Sequence, residues 1–204
     1  PDHILALGVR AFDKAETAKE GEPLNLARRS ARLMRRRLYR RAWRQTKVAR
    51  LLKQTGLVAS ARVLRDQAVS PVSPWTLRAE ALDRKLAPEE WARVIYHLCK
   101  HRGFHWISRA EEKKAGEDAK GEGGKVKKGL AATAKLMLEK GYRTAAEMVL
   151  AEFPEAQRNK QGEYNKALSR VLLADELRRL FESQRKHGNP HADEKLQTMI
   201  LGNG

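Results

Sequence analysis

The chain has 204 residues, with 42 Lys or Arg against 25 Asp or Glu and a formal net charge of +17. One cysteine, Cys99, excludes an intrachain disulfide and suits a reducing, cytosolic setting. The longest run free of Asp, Glu, Lys and Arg is Gln67 to Leu77, eleven residues, well short of the roughly 18 that cross a bilayer, so no membrane partner is expected. The excess charge is local. Between Pro23 and Arg65 there are fourteen bases and no acid, whereas the rest of the chain is close to balanced. Such a block points to a polyanionic partner, the alternative being a solvated, disordered basic arm. The sequence starts at Pro1, with no methionine, signal or transit pattern, and reads as a segment of a larger protein.

In chain order, "HILALGV" (residues 3–9) has the composition of a short strand, with no second strand to pair it. Residues 16–22 form a polar linker, and Pro23 suits the first position of a helix. That helix extends to the stop signal at Gly56. At 100° per residue, Ala27, Ala31, Met34, Leu38, Ala42, Gln45, Ala49 and Leu52 fall in a sector about 80° wide, and the arginines fill most of the remaining ~240°. A seam this narrow, built largely of alanine, can rest on a protein body but cannot be buried in a core.

Short amphipathic helices follow. "SPWTLRAEALDRKL" opens with Ser73 as cap and Pro74 in the first turn. "APEEWARVIYHLCKHRG" has acids in its first turn, bases in its last, and a core face of Trp91, Val94, Ile95 and Leu98. Residues 109–129 offer only Val126 as a larger apolar side chain and are expected to be a mobile loop. Helices are expected next over 129–141, from the Thr144–Glu147 capping box to Pro154, from Ser169 to Gly188, and in "HADEKLQTMIL". The expected fold class is all-α: a long arginine-rich helix leading into a bundle of short amphipathic helices, with a short strand at the N-terminus.

Catalytic signals are sparse. His97, Cys99, His101 and His105 invite a metal-site reading, because histidines four apart share a helix face. Cys99 lies about 200° round the wheel from His97, Gly103 stops the helix before His105, and Lys100 and Arg102 would repel a cation. A polar helix end is the simpler reading. No Gly-rich phosphate loop or nucleophile elbow is present. Trp75, Trp91, Trp106, Tyr96 and Phe104 have faces that could stack on bases, although Trp91 reads as core.

The basic segment uses twelve arginines and two lysines. Guanidinium forks match phosphate oxygens bidentately and are cheaper to desolvate than ammonium. A membrane-surface helix or calmodulin target needs a broad, bulky apolar face, which the alanine seam lacks. A sector of ~240° instead suits an element that nucleic-acid backbone meets on several sides.

"LARRSARLMRRRLYRR" followed by "PWTLRAEALDRKLAPEEWARVIYHLCKHRGF" resembles the RNA-guided DNA endonucleases of type II CRISPR systems, nearest to the compact type II-C branch. "LGVRAFDKAE", "GYRTAAEMVLAEF" and "YNKALSRVLLADELRRLFESQRKHGNPH" resemble the family in matching order. The resemblance implies a remnant of the split RuvC nuclease segment at 1–15, a linker at 16–22, an arginine-rich bridge helix at 23–56 and a helical recognition lobe at 57–204. It implies that Arg28, Arg29, Arg32, Arg35, Arg36, Arg40 and Arg44 hold guide RNA (crRNA and tracrRNA). It also implies that the parent cuts target DNA in the bacterial cytoplasm with Mg2+ in nuclease domains, whereas this segment carries no catalytic residue, metal or cofactor. An acidic phage-encoded inhibitor protein is a further expected partner. Competing readings are an independent basic RNA-binding protein, a docking module for an acidic protein and a metal enzyme built on the histidines.

Overall fold

A computed structural model describes residues 8–9, 15–16, 19, 21–65, 71–105, 122–157, 159 and 163–202. Seven helices carry them: α1 (Leu26–Gln54), α2 (Pro74–Glu80), α3 (Pro88–Lys100), α4 (Glu122–Lys140), α5 (Ala145–Glu152), α6 (Arg170–Lys186) and α7 (Glu194–Leu201). The class is all-α. Among the described residues the only β pairings are two isolated bridges, Glu16 with Pro23 and Phe104 with Ser169. The expected strand at 3–9 lies outside the described residues except for Gly8 and Val9, which are not in a strand.

The chain divides into two compact units, residues 1–43 and 44–204, with the boundary inside α1. In the first unit Pro23 does not open the helix as expected. It pairs with Glu16, and its carbonyl accepts from Leu26 N–H in the turn that precedes α1. All helical positions from Leu26 to Trp43 are exposed. At 29 residues, α1 is about 44 Å long.

The second unit holds the core. The last turns of α1 contribute Ala49 and Leu52, so the alanine seam is buried only at its C-terminal end. Gly56 ends α1 as the sequence indicates. Its φ is +75°, and the N–H groups of Gly56 and Leu57 bond the carbonyls of Lys53 and Leu52. Leu57 then packs into the core beside Leu52, the hydrophobic contact that accompanies this C-terminal motif.

Helix α3 is the centre of the bundle. Trp91, Val94, Ile95 and Leu98 are buried as expected, but Ala92, Arg93, Tyr96 and His97 are buried too. It is therefore covered on more than one face rather than being simply amphipathic. The Trp91 ring meets Phe181 of α6 edge-on at 4.9 Å, and its Nε1–H donates to the His191 carbonyl at 3.3 Å. On α6, Leu173, Leu177, Leu180 and Phe181 recur at three- and four-residue spacing and face inward. Gln184, fully buried, stitches α6 to the α2–α3 connection. Its Nε2 donates to the carbonyls of Ala81 and Arg84, each at 2.7 Å, and its Oε1 accepts from Leu86 N–H and Asn189 Nδ2, each at 2.9 Å. Both donors and both acceptor positions of the amide are thereby used.

The local caps follow the sequence. Ser73, Thr144, Ser169 and Asp193 each accept from a backbone N–H at the start of the following helix. The Thr144 box is only half made, because the Glu147 carboxylate accepts from Arg143 N–H instead of Thr144 N–H.

One expectation is overturned. The segment 109–129 is not wholly a loop: α4 begins at Glu122, so 122–129 are helical, while 109–121 lie outside the described residues. Packing supplies what composition lacks. Gly124 and Gly129 are buried, and a Cβ at Gly129 would meet the Tyr164 carbonyl oxygen. Four residues on, Thr133 Oγ1 donates to the Ala167 carbonyl at 2.6 Å. The glycines that weaken the helix locally let it lie against the 164–167 backbone.

A second close approach fixes the end of α3. Gly103 has φ +74°, and a Cβ there would sit 2.7 Å from the Leu168 carbonyl oxygen and 2.8 Å from Ser169 backbone atoms. Gly56 has the same sign of φ with open space around it. Replacing either by Ala costs about 1–2 kcal/mol for the left-handed backbone. Gly103→Ala must also part Phe104 from its bridge to Ser169. It is expected to lower the urea midpoint clearly more than Gly56→Ala does, and equal midpoints would mean that the close approach carries no energy.

Candidate nucleic-acid interface

Arg28, Arg29, Arg32, Arg35, Arg36 and Arg40 are all exposed on α1. Among the described residues none of them makes an ion pair. The seventh expected residue, Arg44, differs: it is half-buried and belongs to the second unit. The helix forms here without acidic neighbours because arginine, alanine and leucine all favour helix. Its exposed guanidinium groups repel one another, a cost that a polyanion would relieve.

Other arginines of the chain do find carboxylates. Arg84 is paired with Glu80 and Glu90, and Arg143 with Asp83 and Glu147. These pairs hold Asp83 and Glu90 below the usual carboxylate range, chiefly through the arginine hydrogen bonds. The bare α1 surface therefore reflects where the acids are placed, not a shortage of them.

A second basic cluster was not legible from the sequence. It lies at the end of α3 and the start of α6. Arg102 and Arg170 bound a cavity of about 230 Å³ whose other lining residues are uncharged. Arg170 Nε is buried with no hydrogen-bond partner. Burial, and then the neighbouring Arg102, hold the Arg170 guanidinium below its ordinary value. Cys99 lines the same cavity; burial pushes its thiol up to about 11, against the opposing pull of Arg102 and Arg44. This makes it a poor nucleophile or metal ligand at neutral pH. Arg102 and Arg170 are 68 positions apart, so only the fold brings them together.

The histidine group is committed elsewhere. His97 is buried, with Nδ1 3.3 Å from Arg78 Nη1 and its ring edge-on to Trp75 at 5.2 Å. Because guanidinium only donates, His97 Nδ1 acts as the acceptor. The His101 ring lies 4.8 Å away, and the His101 backbone N–H donates to the His97 carbonyl at the C-terminus of α3. Among the described residues no three His, Cys, Asp or Glu side chains converge. Trp91 is core, Trp106 lies outside the described residues, and Trp43 is 53% exposed. Among the described residues no helix is long and apolar enough to cross a membrane.

The all-α fold has counterparts among known proteins. No protein-family model matches. Over this segment the chain is similar to the Cas9 proteins, the CRISPR-associated endonucleases. Its relatives are Cas9 proteins. It is 33% identical over 205 residues to the CRISPR-associated endonuclease Cas9 of Campylobacter jejuni, a match covering 92% of this chain and 20% of that protein. To the Cas9 of Staphylococcus aureus it is 26% identical over 122 residues, 58% of this chain and 10% of the relative. A crystal structure of C. jejuni Cas9 with sgRNA and target DNA superposes with a TM-score of 0.71 at 26% identity, covering 93% of this chain and 26% of that one. A cryo-EM structure of a St1Cas9–sgRNA–tDNA20–AcrIIA6 assembly shares the fold, with a TM-score of 0.64 at 21% identity over 89% of this chain and 21% of that one. The chain thus spans about a fifth of the length of its C. jejuni relative. That match fits the compact type II-C branch.

Proposed function

We propose that this chain binds the backbone of guide RNA, and of the RNA–DNA heteroduplex, as the bridge helix (23–56) and recognition lobe (57–204) of a Cas9-type endonuclease. On this reading residues 1–15 belong to the split RuvC segment and 16–22 link it to the helix. The observation that carries it is the set of six exposed α1 arginines without an ion pair among the described residues. The fold match to Cas9 structures solved with sgRNA and target DNA supports the choice of polyanion. Arg102 and Arg170 add a second phosphate position, where an anion would offset the repulsion between two guanidinium groups. In such systems the protein holds the duplex by shape and backbone, and base pairing reads sequence. DNA cleavage and its Mg2+ ions are assigned to nuclease domains of the whole protein, and no described residue is given a catalytic role.

The test is a gel shift with a crRNA–tracrRNA pair against an unrelated RNA of equal length. Preference for the pair is the expected result, and equal binding would reduce the chain to a general basic RNA binder. A second reading, docking of an acidic inhibitor protein, draws on the acid-free stretch from Pro23 to Arg65 and on the AcrIIA6-bound assembly among the structural neighbours. It predicts that such a protein competes with RNA for α1.

A further inference from the structure

Two cavities of the second unit share Trp75 and Gln157 in their walls. The larger, about 680 Å³, is bounded by Arg65, Arg93 and Lys100 together with Tyr96 and His97. The smaller, about 260 Å³, is bounded by His101, Phe104, Asn159 and Lys166. Among the described residues neither lining contains an Asp or Glu, although Arg78 in the wall of the smaller cavity is already paired with Glu176. The larger lies within the roughly 300–1,000 Å³ of small-ligand pockets and the smaller just below it, room for one nucleotide between them.

The chemistry of the walls narrows the ligand. Bases without a carboxylate among them select an anion. Aromatic rings select a planar, polarisable group. Trp75 has Arg78 over its ring at 4.2 Å and His97 edge-on, so it is held rigidly. Phe104 is 39% exposed, anchored by an edge contact to Tyr164 at 6.4 Å, and is not a core residue. The two amides are half used. Gln157 Nε2 donates to the Pro154 carbonyl at 2.8 Å, which leaves its Oε1 as an acceptor. Asn159 Oδ1 accepts from Lys166 N–H at 2.9 Å, which leaves its Nδ2 as a donor. An acceptor and a donor on the rim of one aromatic cavity match the edge of a nucleobase, where donors and acceptors adjoin.

We propose that these adjacent cavities take one unpaired nucleotide of the bound RNA, with its base in the smaller cavity beside Phe104 and its phosphate toward Arg65 and Lys100. This rests on the RNA-binding reading above but adds a contact that backbone recognition does not need. An extruded base stacked on an aromatic side chain is worth on the order of 1–3 kcal/mol, or roughly 5- to 100-fold in affinity.

The experiment compares a hexaadenylate with a hexamer of abasic ribose phosphates of equal charge, by fluorescence anisotropy at fixed salt. The intact hexamer is expected to bind at least about 5-fold tighter. Phe104→Ala and Gln157→Ala, each checked for an unchanged circular dichroism spectrum, are expected to remove that preference without altering affinity for the abasic strand. Equal affinity for the two hexamers overturns the base pocket and leaves the backbone reading intact. A preference that survives in both folded variants places the base elsewhere and overturns it as well. No binding of either hexamer removes both readings.

Discussion

Replacing Glu176 by Ala is expected to cost the bundle about 3–5 kcal/mol, a large share of the roughly 5–15 kcal/mol that holds a domain folded. Arg78 and Glu176 are 1% and 2% exposed and paired through two bonds, Nε–Oε1 at 2.7 Å and Nη2–Oε2 at 2.8 Å. Glu176 Oε2 also accepts from Ala145 N–H, a donor at the start of α5 with no partner inside its own helix. Removing the carboxylate therefore strands a buried guanidinium and a buried amide together. Arg78 keeps only its contacts to His97 and to the Trp75 ring, neither of which offsets a full charge. The pair itself need not stabilise the fold: its members leave water, and their attraction only roughly repays that. Arg78→Met combined with Glu176→Leu is accordingly expected to recover most of what Glu176→Ala loses. Urea unfolding of the three proteins decides the matter. A single variant within about 1 kcal/mol of the parent would show that water reaches Arg78 and that the pair does not organise α2, α5 and α6.

That pair also marks the limit of what the sequence conveys. Helix ends were legible because their chemistry is local. Ser73 with Pro74, Thr144, Ser169 and Gly56 each act on backbone groups a few residues away. The arginine sector of α1 was legible because it depends only on helical periodicity. Arg78 and Glu176 stand 98 positions apart, and neither carries a mark separating it from the surface charges around it. The same holds for Arg102 with Arg170, and for Gln184, whose four bonds reach Ala81, Arg84, Leu86 and Asn189. The start of α4 was misread for a related reason. Its glycines score against helix in isolation, and the compensating contacts come from Tyr164 and Ala167, more than thirty residues later. The sequence offers Trp75 as an aromatic that could stack on a base, but the cavities that share it are built from α1, α3 and residues Ala156, Gln157, Asn159, Lys166 and Leu168 together.

For the function, the decisive variant is the triple replacement of Arg32, Arg36 and Arg40 by Ala. On the helical wheel these lie together in the middle of the basic sector, opposite the alanine seam. Alanine favours helix at least as well as arginine, so α1 is expected to keep its circular dichroism signal and the variant to report on charge alone. Each phosphate contact on a single strand contributes about 0.7 to the slope of log affinity against log salt. Loss of three contacts should flatten that slope by about 2 and lower RNA affinity on the order of 30- to 100-fold near 0.15 M salt. The loss should be the same for any RNA sequence, because backbone contacts position without reading bases. A control that removes three exposed bases elsewhere, Lys85, Lys128 and Lys195, matches the change in net charge and is expected to keep most of the parent slope. If both triples weaken binding alike, RNA senses only the net charge of +17, and α1 is no more than part of it. If the α1 triple leaves slope and affinity unchanged, the exposed guanidinium groups meet something other than nucleic acid, and an acidic protein becomes the partner that their geometry favours.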